Sequence, residues 1–305
     1  MASILVVGSM NMDIVTQVER HPVPGETIQG KGSRFHIGGK GANQAVAAAR
    51  SGASVAMAGG LGSDAFGLNI RKKLAEDRID LAFVKEKPAM TGIALITIDR
   101  SGENNIILSA GANEEYGEDD ADALELSGYD LILLQNEISP AATRKVLDKA
   151  AEAKVPVCLN PAPIDGFDRS GLRKAAFLIL NEVEAEVLSG VAIGGLGGAR
   201  RAGGRLLEEG IPRLIMTLGS AGAIYMDQVG VQVEMPAFAV EAVDTTAAGD
   251  TFIGAFAAKF AAGTELKESL RYAAAAAALA VSAAGAQSSI PHEPQVKAFL
   301  ERAAP

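Results

Sequence analysis

The sequence predicts an α/β fold: an open, mostly parallel sheet with helices on both faces, plus a small discontinuous β-sheet. Three observations predict it. Short, continuously apolar runs, typical of strands buried on both faces, alternate with longer stretches of helical period. That βαβα order favours parallel strands joined by covering helices. Two segments, about 13–37 and 92–108, break the rhythm with strand patterns and no helix. At 305 residues the chain is expected to act as a single unit over 1–305, with these two segments as excursions from it.

The first buried strand is expected at Ile4 to Val7, followed by a helix from Ala42 to Arg50 and a strand at Val55 to Ala58. A helix over Leu68 to Asp77 comes next, then a strand at Leu131 to Leu134. Ser139-Pro140 reads as an N-cap serine with proline at the first helical position, opening a helix that runs to Ala153. Strands at Val157 to Leu159, Phe177 to Leu180 and Leu214 to Thr217 alternate with helices at Glu182 to Ser189 and Ala199 to Glu209. The glycines at 194, 195, 197 and 198 follow no strand, so they read as a flexible loop and not a dinucleotide turn. In the first irregular segment, Pro22, Pro24 and Gly25 separate short alternating stretches. In the second, Arg100-Ser101-Gly102-Glu103 joins Ile93 to Asp99 with Asn105 to Leu108 in a hairpin-type connection. A small sheet with one apolar face needs a covering surface: a ligand, a twin subunit, or both.

Composition removes several function classes. The apolar fraction of 48% excludes a solvated coil. A net charge of −9, with no run of five basic residues, argues against nucleic acid as a partner. The lone Cys158 lies in an apolar stretch and reads as an inert buried thiol. His21, His36 and His292 lack zinc-type spacing. The apolar run from Ala273 to Val281 is too short for a membrane span, and the opening MASILVVG lacks a basic n-region, so a soluble cytoplasmic protein is expected.

Three constellations can carry chemistry. Around Lys40, the segment Ile37 to Ala45 places three glycines at a helix start, where backbone can approach a small ligand closely and Lys40 and Asn43 can donate to it. It lacks the GxxxxGK[ST] spacing of a P-loop. The second, Asp244 to Phe252, puts Ala247, Ala248 and Gly249 at the start of an apolar helix. Ser, Thr or Asn would cap that helix better. Small residues there expose N–H groups to an anion. The third set is scattered: Asn11 and Asp13, Glu137, Asn181 and Glu184 (spaced i,i+3), and Thr217 to Ser220 all lie just beyond strand C-termini, where open α/β sheets bind ligands.

Together these residues resemble the ribokinase branch of the ribokinase-like family of sugar and nucleoside kinases. The resemblance runs from Gly8-Ser9-Met10-Asn11-Met12-Asp13 to Gly285-Ala286-Gln287-Ser288-Ser289 and includes Pro24-Gly25-Glu26-Thr27 and Gly62-Ser63-Asp64 with Gly67. It implies an ATP-dependent phosphotransferase with an alcohol acceptor, acting on the 5-hydroxyl of D-ribose. By position, Asn11, Asp13, Gly39, Lys40, Asn43 and Glu137 resemble sugar contacts, and Asp250 the catalytic base. Ala247, Ala248 and Gly249 resemble the anion hole. Asn181, Glu184, Thr217, Leu218, Gly219, Ser220, Ala221 and Gly222 resemble the nucleotide and Mg²⁺ region. Asp244, Thr246, Ala280, Ala283, Gly285 and Ser289 resemble a monovalent-cation site that would take K⁺. The two β segments resemble a lid that also forms a homodimer interface. Ala274 departs from the His or Asn that commonly approaches the adenine. Alternatives within the class are kinases for another pentose, deoxyribose or a nucleoside; outside it stand a silent sugar-binding regulator and a nicotinamide oxidoreductase. The regulator should lack Asp250 or the anion-hole glycine, and both are present; the oxidoreductase should carry GxGxxG after the first strand, and none is there.

Overall fold

A computed structural model describes residues 1–303; the last two residues of the span 1–305 lie outside the described residues. Nine strands form the main sheet in the order β13-β12-β11-β10-β9-β8-β1-β4-β5. They are β1 (Ser3–Val7), β4 (Ser54–Gly62), β5 (Asp80–Lys87), β8 (Leu131–Gln135), β9 (Val157–Asn160), β10 (Phe177–Asn181), β11 (Arg213–Thr217), β12 (Ala223–Asp227) and β13 (Gln232–Met235). From β5 to β11 the pairing is parallel, and β12 and β13 close one edge antiparallel.

Strand alternation divides the core in two. Ile4 and Val6 of β1 pack into one apolar cluster, and Leu5 and Val7 into the other. The first cluster lies beneath α1 (Lys40–Arg50), α2 (Ala65–Glu76), α7 (Ala248–Ala261), α8 (Leu266–Val281) and α9 (Glu293–Arg302). The second lies beneath α3 (Glu118–Asp122), α4 (Pro140–Ala153), α5 (Glu182–Ser189) and α6 (Leu196–Glu208). Two buried faces explain why the central strands read as unbroken apolar runs. Phe177, Phe256 and Phe260 lock α7 onto the sheet, with ring centroids 4.7–5.5 Å apart.

Successive strands are added outward from β1 through β4 to β5, and then from β8 towards β11 on the other side. The direction of winding therefore reverses between β1 and β8. At such a switch point the loops beyond the strand ends diverge and leave a crevice.

A second sheet, in the order β3-β2-β6-β7, consists of β2 (Asn11–Gln17), β3 (Ser33–Gly38), β6 (Gly92–Ile98) and β7 (Asn104–Ser109). Its central pair, β2 and β6, is parallel and joins the two excursions; the outer pairs are antiparallel. One cross-strand row, Arg34, Val15, Ile96 and Ile106, faces a cavity above the main sheet. The alternate row, Phe35, Ile14, Leu95 and Ile107, points the other way, with Phe35 60% and Ile107 68% exposed.

Some details differ from the sequence reading. The helix expected from Ala199 starts at Leu196, so Gly197 and Gly198 belong to its first turn and not to a flexible loop. A Cβ on Gly198 would sit 2.9 Å from Ile193 Cα, so glycine lets that turn press against the preceding chain. The edge strands β5, β12 and β13 carry too many polar residues to read as buried runs. No helix among the described residues is long and apolar enough to cross a membrane.

Candidate active site

The crevice at the switch point holds the clustered polar residues. After β1 the chain turns through Gly8, Ser9 and Met10 into β2, and it returns from β3 through Gly38 and Gly39 into α1. Gly39 has a φ of 89°, a left-handed conformation in which a side chain would be strained. Ser9 Oγ donates to Glu137 Oε2, and the Lys40 backbone N–H reaches the same oxygen at 3.3 Å. Asn11 Oδ1 accepts from Asn113 Nδ2 at 2.7 Å, and Asn113 is itself held by the Met10 N–H at 2.9 Å.

Asp13 differs from its neighbours. Its side chain is 9% exposed and lines a cavity of about 740 Å³ between the small sheet and the segments 242–246 and 284–286. Among the described residues no group donates a hydrogen bond to it. A Cβ on Gly38 would come within 2.0 Å of the Asp13 carboxylate, so the glycine keeps that space open. Burial pushes the Asp13 pKa up to about 7, and repulsion from Glu137 and Asp250 adds to it.

Asp250 lies in the first turn of α7. That helix packs unusually close to α1, because a Cβ on Gly254 would meet the Gln44 carbonyl oxygen at 2.4 Å. The close approach delivers two amide donors: Asn43 Nδ2 to Asp250 Oδ2 and Gln44 Nε2 to Oδ1, each at 3.0 Å. Ala247, the N-cap, has φ 60° and ψ 10°, a left-handed conformation costing about 1–2 kcal/mol in a residue with a Cβ. The expectation that all of Ala247 to Gly249 offer free N–H groups needs correction. Ala248 N–H donates to Thr245 O at 3.2 Å, which leaves Gly249 and Asp250 with the unpaired donors of the first turn.

These N–H groups border a second cavity of about 220 Å³, lined by Lys40, Asn160, Asn181, Glu184, Thr217 and Asp250 among others. Lys40 is the ammonium group among the carboxylates of Glu137, Glu184 and Asp250. Burial opposes its charge, yet Asp250, Glu137 and Glu184 hold its pKa above the ordinary value. Burial raises all three of those carboxylates, with Lys40 pulling each back.

Asn181 and Glu184 meet at the start of α5. Asn181 is the N-cap of α5, and the two residues form a reciprocal capping box with bonds of 2.8 and 2.9 Å. Of the stretch from Thr217 to Gly222, Thr217 lines the cavity. Leu218 points into the core at 2% exposure, so its side chain reaches no ligand. Gly219, Ser220 and Ala221 form a 3₁₀ turn that Gly222 ends, outside the lining of both cavities.

The segment before α7 meets the end of α8 at Asp244. Its Oδ1 accepts from Thr246 N–H and its Oδ2 from Gly285 N–H, both at 2.9 Å. Burial disfavours the charge, but these bonds hold the Asp244 carboxyl below the usual range. Among the described residues no lysine or arginine pairs with it. Asp244, Thr246 and Gly285 line the larger cavity together, whereas Ala280, Ala283 and Ser289 line neither. Ala274 is packed against the core on α8 and also lines neither cavity. Gln44, Asn113, Gln135 and Asn160 complete the polar network and went unread in the sequence. For Gln44, Gln135 and Asn160 the signal is a polar residue within an alanine-rich helix or at a buried strand end; Asn113, in a short 3₁₀ turn, carries none.

Comparisons with known proteins give the family. A family model described as pfkB family carbohydrate kinase matches residues 1–293. The chain is 37% identical to the ribokinase of Haemophilus influenzae over 304 residues, covering 99% of each. It is 41% identical to the ribokinase of Schizosaccharomyces pombe over 303 residues, covering 95% of each. A deoxyribokinase of Salmonella typhi is 35% identical over 303 residues, covering 97% of this chain and 98% of the relative. The solved structure of Arabidopsis thaliana ribokinase complexed with ribose and ATP superimposes with a TM-score of 0.91 at 33% identity, covering 99% of both chains.

Proposed function

The chain belongs to the pfkB family of carbohydrate kinases, and from that premise we propose that it phosphorylates D-ribose at the 5-hydroxyl, turning ATP into ADP. The observation that carries this reading is the position of Asp250. Its carboxylate lies at the border of the smaller cavity, beside free helix N–H groups, and it faces Asp13 of the larger one. A sugar held beneath the small sheet by Asn11, Asp13 and Lys40 would present a hydroxyl to Asp250. The phosphates of ATP would enter from the side of Asn181, Glu184 and Thr217.

Phosphoryl transfer depends on positioning and charge stabilisation more than on covalent help. Gly249 and Asp250 N–H groups, at the positive end of α7, would receive the charge on the transferring group. Lys40 adds a fixed positive charge at the smaller cavity. Asp250, an acceptor on both oxygens, orients the attacking hydroxyl and takes its proton as the new P–O bond forms.

Two ions fit the residues present. Glu184 and Asn160 supply oxygen donors of the kind Mg²⁺ prefers, and the ion when bound offsets charge on the nucleotide phosphates. Asp244 is a half-buried carboxylate with no lysine or arginine partner among the described residues, where Thr246 and Gly285 converge; K⁺ there would supply positive charge behind the anion hole. The exposed apolar row of Phe35, Leu95 and Ile107 supports a homodimer formed through the small sheet, which would act as the lid of one unit spanning 1–305. An ATP-using enzyme with one buried thiol suits the cytoplasm.

Transfer to 2-deoxyribose is the second reading, favoured by the likeness to a deoxyribokinase. Coupled ADP release across pentoses, hexoses and nucleosides tests both. Ribose should exceed 2-deoxyribose in kcat/KM, because a buried acceptor left unpaired penalises the analogue lacking the hydroxyl. Greater efficiency with a nucleoside or hexose would reject the assignment.

A further inference from the structure

Behind Asp250 lie two fully buried amides that substrate cannot touch. Gln44, in the second turn of α1, and Gln135, the last residue of β8, are both 0% exposed. Burying an amide in an apolar core is unfavourable unless it is bonded, so their presence needs a reason.

The direction of the bonds supplies one. An ionised carboxylate only accepts, so Gln44 must turn Nε2 towards Asp250 Oδ1 at 3.0 Å. Its Oε1 then needs a donor and receives Gln135 Nε2 at 2.7 Å. At the end of this relay Gln135 Oε1 is buried with no partner among the described residues. A Cβ on Gly8 would stand 1.9 Å from that oxygen, so the residue after β1 is glycine where the amide needs the room. Methionine at 135 would fill the same space without an unpaired acceptor, and packing alone therefore does not explain the glutamine. Asn43 Nδ2 bonds the other oxygen, Oδ2, at 3.0 Å. Both carboxylate oxygens thus face N–H groups, and a proton on either would set an O–H against a donor.

We propose that Gln44 and Gln135 form an amide relay that positions the Asp250 carboxylate as a proton acceptor. The inference rests on the reading of Asp250 as the base. Gln44 is the positioning residue, and Gln135 fixes which end of its amide faces the site. The charged groups facing Asp250 are Lys40 on α1, Asp13 on β2, Glu137 after β8 and Glu184 on α5. Burial raises the Asp250 pKa, while Lys40, Gln44 and Asn43 pull it down. Removing the Gln44 donor lets it rise further.

The experiment is the pH profile of kcat/KM for ribose in Gln44→Met and Gln135→Met, which keep volume and remove the amides. A base must be ionised, so activity is lost as pH falls through its pKa. Gln44→Met should move that acidic limb upward by about one pH unit, a tenfold change in proton affinity. Gln135→Met should move it the same way by less. If both proteins fold, with lowered melting temperatures but wild-type limbs, the amides merely fill the core and the relay is wrong. If Gln44→Met does not fold, the limb of Gln135→Met decides alone. Asp250→Asn in the same assay separates the two ideas: wild-type turnover removes the base itself, whereas lost turnover with unmoved limbs in the glutamine variants removes only the relay.

Discussion

Replacing Asp13 by Asn should make the protein more stable at pH 8 while weakening its hold on ribose. This carboxylate is buried, and among the described residues no group donates a hydrogen bond to it. Its pKa stands at about 7 against an ordinary 3.8. Between those two values the native state keeps a proton that the unfolded state has released, so stability falls as pH rises through the window. The full effect is about 4 kcal/mol above pH 7 and vanishes near pH 4. Unfolding entropy near 2.1 cal/mol/K per residue gives about 640 cal/mol/K for this chain, so the change is worth about 6 °C in melting temperature. Asn is nearly isosteric and carries no charge. Thermal and denaturant unfolding of both proteins should be followed from pH 4 to 8, with ribose titrated calorimetrically at pH 8. The stability curves should converge near pH 4, separate progressively up to about pH 7 and keep a constant gap above it, with Asp13→Asn the more stable. Parallel curves across the range would refute the reasoning, since they would mean that the carboxylate is solvated or already paired.

Asp250→Asn should fold and bind ribose nearly as wild type while kcat drops by on the order of 10² or more, read by ADP release. Turnover in KCl should exceed that in NaCl or tetramethylammonium chloride at matched ionic strength, with kcat affected more than ribose affinity; equal rates in all three salts would remove the cation site at Asp244. Sedimentation should show a dimer at micromolar concentration, and Ile107→Lys on the exposed row should shift it to monomer; an active wild-type monomer would reject the lid interface.

The central strands were legible because burial on both faces makes the sequence apolar without alternation, as in Leu131 to Leu134. The edges were not. In Asp80–Lys87 one side of the strand meets solvent, and its charges hide the pattern. The reactive positions could be read because small residues at the start of α7 make little sense as a cap. Gln44 and Gln135 could not, since a lone amide among apolar neighbours reads as a tolerated blemish until the fold brings two of them within 2.7 Å. Leu218 shows the opposite error: a residue inside a promising stretch can have its side chain turned wholly into the core.

The small sheet also affects how the protein can be inherited. Its halves, residues 11–38 and 92–109, are separated by two strands and two helices of the main body. Either half alone is a two-stranded hairpin, which is marginal in water. They meet along a seam of seven residue pairs, from Asn11 opposite Gly92 to Gln17 opposite Ile98. A genetic crossover between related genes anywhere from 38 to 92 would therefore marry Asn11, Asp13 and Phe35 to a foreign Leu95, Ile96 and Ile107. The hybrid would have to rebuild a ligand-facing row and an outward apolar row at once, from side chains never selected together. On the proposed reading substrate choice and self-association would be tied to the same distant stretches, and successful chimeras should be those whose breakpoints leave both excursions with one parent.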